Sequence, residues 1–334
     1  MTDESWIPSM SDDNTPNDDN ASNTDDTPNN HAEPESNVPD GASDAPEENK
    51  KPKKPRIELG PPVFGRWKHF IVVIPFIVYL AFSALGGKIE SMREAYLIGT
   101  LGRHPDNNNL RVPTLEEATE AQIKEDPDQL FLLDMFKVVE STYPYTYVLT
   151  IGVTSVFVLA FCWGYFKIPF RLSYWGFVYG AVGIVVWIGL VKLDEMTFNL
   201  GGMTPGRAAF NPFEELADNK SFMMQFLGLR LFGMILIVPL IEEFFIRGFL
   251  MRYVDDPDWD EVPIGVFRLG GLLAPTIYGL ATHLTEPLAA IAWFSMITVL
   301  YRKTNNIWDC VVAHAVTNGL LAWYVIQYEQ WQLW

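Results

Sequence analysis

The sequence predicts an all-α protein: a polytopic bundle of about seven transmembrane helices behind a disordered acidic N-terminal tail. Largely apolar runs recur at residues 69–87, 146–166, 174–192, 222–246, 269–285, 287–301 and 306–327. Several approach the roughly 20 residues that a helix needs to cross a bilayer. The chain is 49% hydrophobic although its first 50 residues are almost entirely polar, so the apolar content is concentrated in the rest of the chain.

Net charge is −17, and residues 1–50 supply −13 of it through 14 acidic residues set against the single Lys50. The remainder is only mildly acidic, which gives no reason to expect a nucleic-acid partner. The tail is rich in Asp, Asn, Pro, Ser and Thr, with Trp6 as its only aromatic residue. Such a composition buries too little apolar surface to offset chain entropy, and disorder is expected. Residues 1–68 are read as this tail with a basic juxtamembrane segment, and residues 69–334 as the transmembrane domain. No basic start with an apolar core precedes the run at 69–87, so that run is expected to be an uncleaved first anchor.

Lys50, Lys51, Lys53, Lys54, Arg56, Arg66 and Lys68 stand just before the first run, and a basic cluster of this kind favours the cytoplasmic side. Alternating from a cytoplasmic N-terminus puts residues 88–143 in an extracytoplasmic loop, Lys167 and Arg171 inside, residues 193–221 outside, and Arg247, Arg252, Arg268, Arg302 and Lys303 inside. Lys192, Arg207 and Lys220 run against this charge bias. Within the 88–143 loop, Thr114-x-x-Glu117 after Pro113 has the form of a capping box at the start of a surface helix. In the third run Gly176-x-x-x-Gly180 allows two helix backbones to approach closely. Trp323, Tyr324, Tyr328, Trp331 and Trp334 crowd the end of the last run and read as interfacial anchors. Cys162 and Cys310, each inside a run, read as small buried apolar residues rather than a disulfide pair.

Three polar signatures interrupt the last runs: Glu242-Glu243-x-x-x-Arg247, His283, and His314-x-x-x-Asn318. Ionisable groups in a membrane helix cost about 2.5–3.5 kcal/mol each on insertion scales, so they are not expected to face lipid. Glu243 and Arg247 share a helix face and can pair, while Glu242 points about 100° away. Two carboxylates against one guanidinium leave a negative charge that needs a donor such as imidazole. His314 and Asn318 also share a face. A helix-end charge cluster accounts for Glu243 and Arg247, and interhelical hydrogen bonding accounts for a lone His or Asn; neither accounts for the whole set. A carboxylate, two imidazoles and an amide are what water-driven amide hydrolysis requires, a base for water and donors for the developing oxyanion.

These motifs resemble those of the CAAX protease and bacteriocin-processing family of intramembrane glutamic endopeptidases, whose pattern is Glu-Glu-x-x-x-Arg, Phe-x-x-x-His and His-x-x-x-Asn on successive helices. The similarity is clearest over residues 222–328, a catalytic core, and weaker back to about residue 171. Pro239-Leu-Ile-Glu242-Glu243-Phe-Phe-Ile-Arg247-Gly248 and the Trp-rich end resemble the exosortase-associated branch, which would imply a pathway partner of exosortase type. The resemblance implies that Glu242 activates water with help from His283, that His314 and Asn318 stabilise the oxyanion, that Glu243 supports the site, and that Arg247 orients the carboxylates. It implies no cofactor or metal. The second motif departs from the pattern, with Gly279 four positions before His283 and Tyr278 one position earlier, so the usual aromatic wall is missing from its place.

The function expected is cleavage of a membrane-embedded or lipid-anchored peptide in the bilayer of the plasma membrane (the inner membrane in a bacterium). Two other readings fit the same residues. Glu242, His283 and His314 are a known kind of zinc-ligand set, although no His-Glu-x-x-His pattern is present, and a non-proteolytic scaffold or immunity-type partner would use the cluster only to fix packing. Helical rise also sets a problem of depth. Glu242 and His314 fall near the inner side, whereas His283 lies roughly 21 Å from Leu269, toward the opposite side unless a helix bends at Pro239 or Pro275.

Overall fold

A computed structural model describes residues 68–100, 141–203 and 209–334. The acidic tail, the Thr114-x-x-Glu117 box and most of the 88–143 loop lie outside the described residues. Two units divide the chain, Met1–Lys53 and Lys54–Trp334, and every described residue belongs to the second.

The described residues are helical and contain no strand. Among them, seven helices correspond to the seven apolar runs: α1 (Lys68–Thr100), α2 (Tyr143–Tyr165), α3 (Tyr174–Thr197), α4 (Lys220–Asp255), α5 (Leu269–Thr282), α6 (Pro287–Thr304) and α7 (Ile307–Tyr328). Lys68–Met92 of α1, together with α2, α3, α4 and α7, are long and apolar enough to cross a membrane. The 14 residues of α5 rise about 21 Å, too little to span a hydrocarbon core of about 30 Å. Apolar side chains cover the outside of the bundle in the manner of a lipid-facing surface, with Leu159, Val185 and Ile277 among the most exposed.

α1 and α4 outrun their apolar runs by the widest margin. Residues 88–100, expected as the start of a loop, continue α1. Expected to stop at residue 246, α4 continues to Asp255, and Arg247 and Arg252, expected at a cytoplasmic edge, are 0% and 1% exposed. Burial is tolerated because each guanidinium has acceptors: Arg247 pairs with Glu243, and Arg252 donates to the carbonyls of Gly248 and Val262, both at 2.8 Å. The longer α4 removes the problem of depth. Asp255 accepts from the backbone N–H of Arg268 and, at 2.8 Å, of Gly271, which ties the start of α5 to the end of α4. Counted from that common level, Glu242 lies about 20 Å along α4 and Tyr278 about 14 Å along α5, close enough for their side chains to meet without a sharp bend.

α4 is nevertheless irregular, and Pro239 is one cause. Proline lacks an N–H and its ring crowds the preceding turn, and the backbone widens into π-helical turns at Gly233–Ile237 and again at Phe244–Leu250. This helix is the hub of the bundle. Phe245 stacks on Phe76 of α1 at 4.1 Å, and Phe244 meets Tyr165 of α2 at 4.6 Å and Trp308 of α7 at 5.1 Å.

The glycine pattern of α3 works as its spacing suggests. A Cβ at Gly176 would stand 3.0 Å from the Asp309 carbonyl, and one at Gly180 would stand 2.6 Å from the Val316 Cβ and 2.7 Å from the Ala313 carbonyl, so α3 and α7 pack backbone to backbone. Asp309 in turn accepts from the Ser173 N–H at 2.7 Å and hydroxyl at 2.9 Å, fixing the start of α3. Among the terminal aromatics Trp323 and Tyr328 face outward, whereas Trp331 turns inward against Phe213 and stacks on Trp334 at 5.4 Å. The chain reverses after Tyr328 into a short 3-10 turn, so Trp331 packs rather than anchors. Cys162 and Cys310 are both free. Gly180→Leu should lower stability by about 1–3 kcal/mol through overpacking, read as a reduced thermal midpoint of the detergent-purified protein, while Gly189→Leu, whose Cβ meets nothing within 4 Å, should not.

Candidate active site

Glu242 and Glu243 sit between the two π turns of α4, and their helical offset sends them to different partners. Glu243, 0% exposed, takes Arg247 one turn on: Nη1 lies 2.9 Å from Oε1 and 2.8 Å from Oε2. The same guanidinium donates to the Phe294 carbonyl at 3.3 Å and lies over the Phe294 ring, 5.6 Å from its centroid. Arg247 is therefore committed to one carboxylate. Glu242, 8% exposed, accepts from the Tyr278 hydroxyl of α5 and faces His314 Nε2 at 3.6 Å. The other nitrogen of His314, Nδ1, lies 3.1 Å from Glu243 Oε1. The imidazole thus stands between the two acids, within hydrogen-bond distance of Glu243 and facing the excess carboxylate of Glu242. Trp293 meets its ring edge to face at 4.8 Å.

Asn318 follows from the backbone of α4. In the first π turn the Val238 N–H goes to the Gly233 carbonyl. The next residue able to serve Met234 is Pro239, which has no N–H. The Met234 carbonyl is left over, and Asn318 Nδ2 donates to it at 2.9 Å. One N–H of the amide is thereby fixed, and the second stays available to another acceptor. The other π turn is handled alike: Met251 N–H goes to Ile246, and the Arg247 carbonyl accepts from the Tyr301 hydroxyl at 3.0 Å. Both braces bracket the acid pair.

His283 ends α5, with Nδ1 3.2 Å from the Gly279 carbonyl and 2.9 Å from the Thr282 hydroxyl. It meets Trp187 of α3 edge to face at 5.3 Å and Phe294 at 5.8 Å. A proton on Nδ1 shared with Gly279 leaves Nε2 as the basic nitrogen. The departure from the aromatic pattern at Gly279 has a structural cause: a Cβ there would overlap the Phe294 ring. Phe294 from α6 fills the wall that the usual residue on α5 would form, and Tyr278, one position away, reaches Glu242.

A cavity of about 370 Å³ joins these groups. Glu242, His283, His314 and Asn318 all line it, with Tyr79, Tyr147, Trp187, Arg230, Tyr278 and Phe294 among the other wall residues, whereas Glu243 and Arg247 stand behind the wall. Such a volume holds on the order of ten waters. Of the six residues singled out in the sequence, four meet at the cavity and two brace it. Sequence reasoning gave no role to Tyr278, Phe294, Trp187 or Arg230: Phe294 and Trp187 come from α6 and α3, which carry none of the three polar signatures, and Tyr278 and Arg230, although on α5 and α4, have no spacing signal that ties them to the acids. Among the described residues no three His, Cys, Asp or Glu side chains converge as a metal-ligand group, so the zinc reading has no assembled donor set in Glu242, His283 and His314.

Removing one member of a buried ion pair strands the other, at a cost of about 3–5 kcal/mol. Arg247→Met should therefore destabilise the protein by that amount in thermal or denaturant unfolding, and adding Glu243→Gln should restore much of the loss.

No curated protein and no solved structure matches the chain with significance. The family model for the Rce1-like type II CAAX prenyl endopeptidases matches residues 224–320, from α4 through most of α7, and contains all six residues. Residues 224–320 are thus similar to the Rce1-like type II CAAX prenyl endopeptidases, and they lie in a membrane protein with five membrane-length apolar helices among its described residues.

Proposed function

We propose that this protein is an intramembrane endopeptidase in which Glu242 activates water to cleave a membrane-associated or lipid-anchored peptide. The observation that carries the reading is the division of labour between adjacent acids. Glu243 is neutralised by Arg247 behind the cavity wall, and Glu242 alone of the two lines the cavity, held by Tyr278 and His314. A general base must reach both water and the scissile carbonyl, and only Glu242 has that access.

Hydrolysis then proceeds by addition and collapse. The Glu242 carboxylate, assisted by His283 across the cavity, takes a proton from water as the oxygen attacks the peptide carbonyl. The carbonyl π electrons move to oxygen, and the resulting oxyanion accepts from His314 and the unused N–H of Asn318. Collapse breaks the C–N bond, and the proton held by Glu242 passes to the leaving amine. Glu243 and Arg247 keep His314 in register without touching the substrate. The lipid-anchored class of substrate is supported by the match to a family of CAAX prenyl endopeptidases and by a cavity walled by membrane helices. The basic residues before α1 support a cytoplasmic N-terminus in the plasma membrane.

Glu242→Gln should reduce cleavage of a prenylated test peptide by at least about a hundredfold while the thermal midpoint stays near that of the wild type, and chelators should not affect the wild-type rate. Full cleavage by that variant would exclude Glu242 as the base, chelator-sensitive cleavage restored by zinc would favour the metal reading, and the absence of any product from the wild type would favour a scaffold.

A further inference from the structure

Besides the groups that hydrolysis uses, the reaction cavity is lined by Arg230 and, elsewhere on its wall, by Glu286. Arg230 lies on α4 before the first π turn and lines the same cavity as Glu242. Its guanidinium rests over three rings, 4.5 Å from the Tyr147 centroid, 5.7 Å from Tyr143 and 5.8 Å from Trp334. Its Nε is buried without a hydrogen-bond partner. Among the described residues no carboxylate forms an ion pair with it. The two fully buried guanidiniums differ in having oxygen acceptors: Arg247 has Glu243, and Arg252 has two carbonyls.

An unmatched guanidinium in a membrane-enclosed cavity is costly, and aromatic faces offset only part of the cost. An oxyanion arriving from outside the protein would complete the balance. Arginine suits this task because its planar fork gives a carboxylate two parallel donors. About 18 Å of helix separates the Arg230 and Glu242 positions, the length of about five residues of extended peptide, and the reach of the two side chains shortens it. Tyr79 lines the same cavity as both, so the two charged groups belong to one chamber. A peptide with its scissile carbonyl at Glu242 would thus reach Arg230 a few residues away.

We infer that Arg230 is a substrate-anchoring residue that takes a carboxylate of the bound peptide, the C-terminal one in a peptide that ends within about five residues of the cut. This rests on the protease reading for the placement of the scissile bond. A lipid phosphate would offer the same oxyanion chemistry, and the test separates the two sources.

The probe is a fluorescent prenylated peptide made as the free acid and as the C-terminal amide, with binding measured to the full chain carrying Glu242→Gln in phosphatidylcholine nanodiscs. The acid should bind about tenfold to a hundredfold tighter than the amide, as a charge-assisted pair allows. Adding Arg230→Gln should reduce acid binding to the amide level and leave the amide unchanged, and Arg230→Lys should retain part of the preference. Equal binding of acid and amide, a preference that survives Arg230→Gln, or an equal loss of both forms would overturn the inference, the last making Arg230 a packing residue. A preference abolished by adding phosphatidylglycerol would give the site to lipid phosphate. Cleavage by the wild-type chain, followed in parallel, reports separately: cleavage without acid preference removes only the anchor, and acid-preferring binding without cleavage removes only the protease.

Discussion

Two carboxylates in consecutive positions of a buried helix set the terms for everything around them. Consecutive helical residues point about 100° apart, so Glu242 and Glu243 cannot share one counter-ion, and each must find compensation from a different direction. Glu243 finds it within α4, in Arg247. Glu242 has to find it in other helices, and α5 brings Tyr278 and α7 brings His314. The bundle is arranged so that these three helices meet at one level. The aspartate at the end of α4 sets the level of α5, and the small residues of α3 seat α7.

The same helix stores a second requirement in its backbone. A bilayer offers no water to an orphaned carbonyl, so a break in the regular ladder must be answered from inside the protein. Asn318 answers one carbonyl and Tyr301 another, on either side of the acid pair. π turns are frequent at functional sites because they re-aim side chains at the expense of regular bonding. Here they make the amide of Asn318 a structural clasp at the cavity wall, with its second N–H left for the proposed reaction.

Relations within a helix are legible in the sequence, and relations between helices mostly are not. Four-residue spacing pairs Glu243 with Arg247 within α4 and puts His314 and Asn318 on one face of α7, and both of the latter contact α4. The surplus negative charge of Glu242 calls for an imidazole, and His314 stands there. Helix ends are misplaced wherever charge is read as a sign of exposure: Arg247 and Arg252 lie inside because their partners, one turn away or across a loop, balance the cost of burial. That error alone creates the conflict of depth over His283.

From its sequence the protein is determined as a helical membrane protein with a carboxylate, two imidazoles and an amide on its last four apolar runs, since hydropathy and helical period act locally along the chain. Only the tertiary structure decided which acid meets the cavity, that Phe294 from α6 replaces an aromatic missing from α5, that Tyr278 completes the hold on Glu242, and that Arg230 shares the chamber without an acid of its own. These depend on the rotation and depth of each helix against its neighbours, and such quantities are set by close packing summed over the whole bundle rather than by any single stretch of residues.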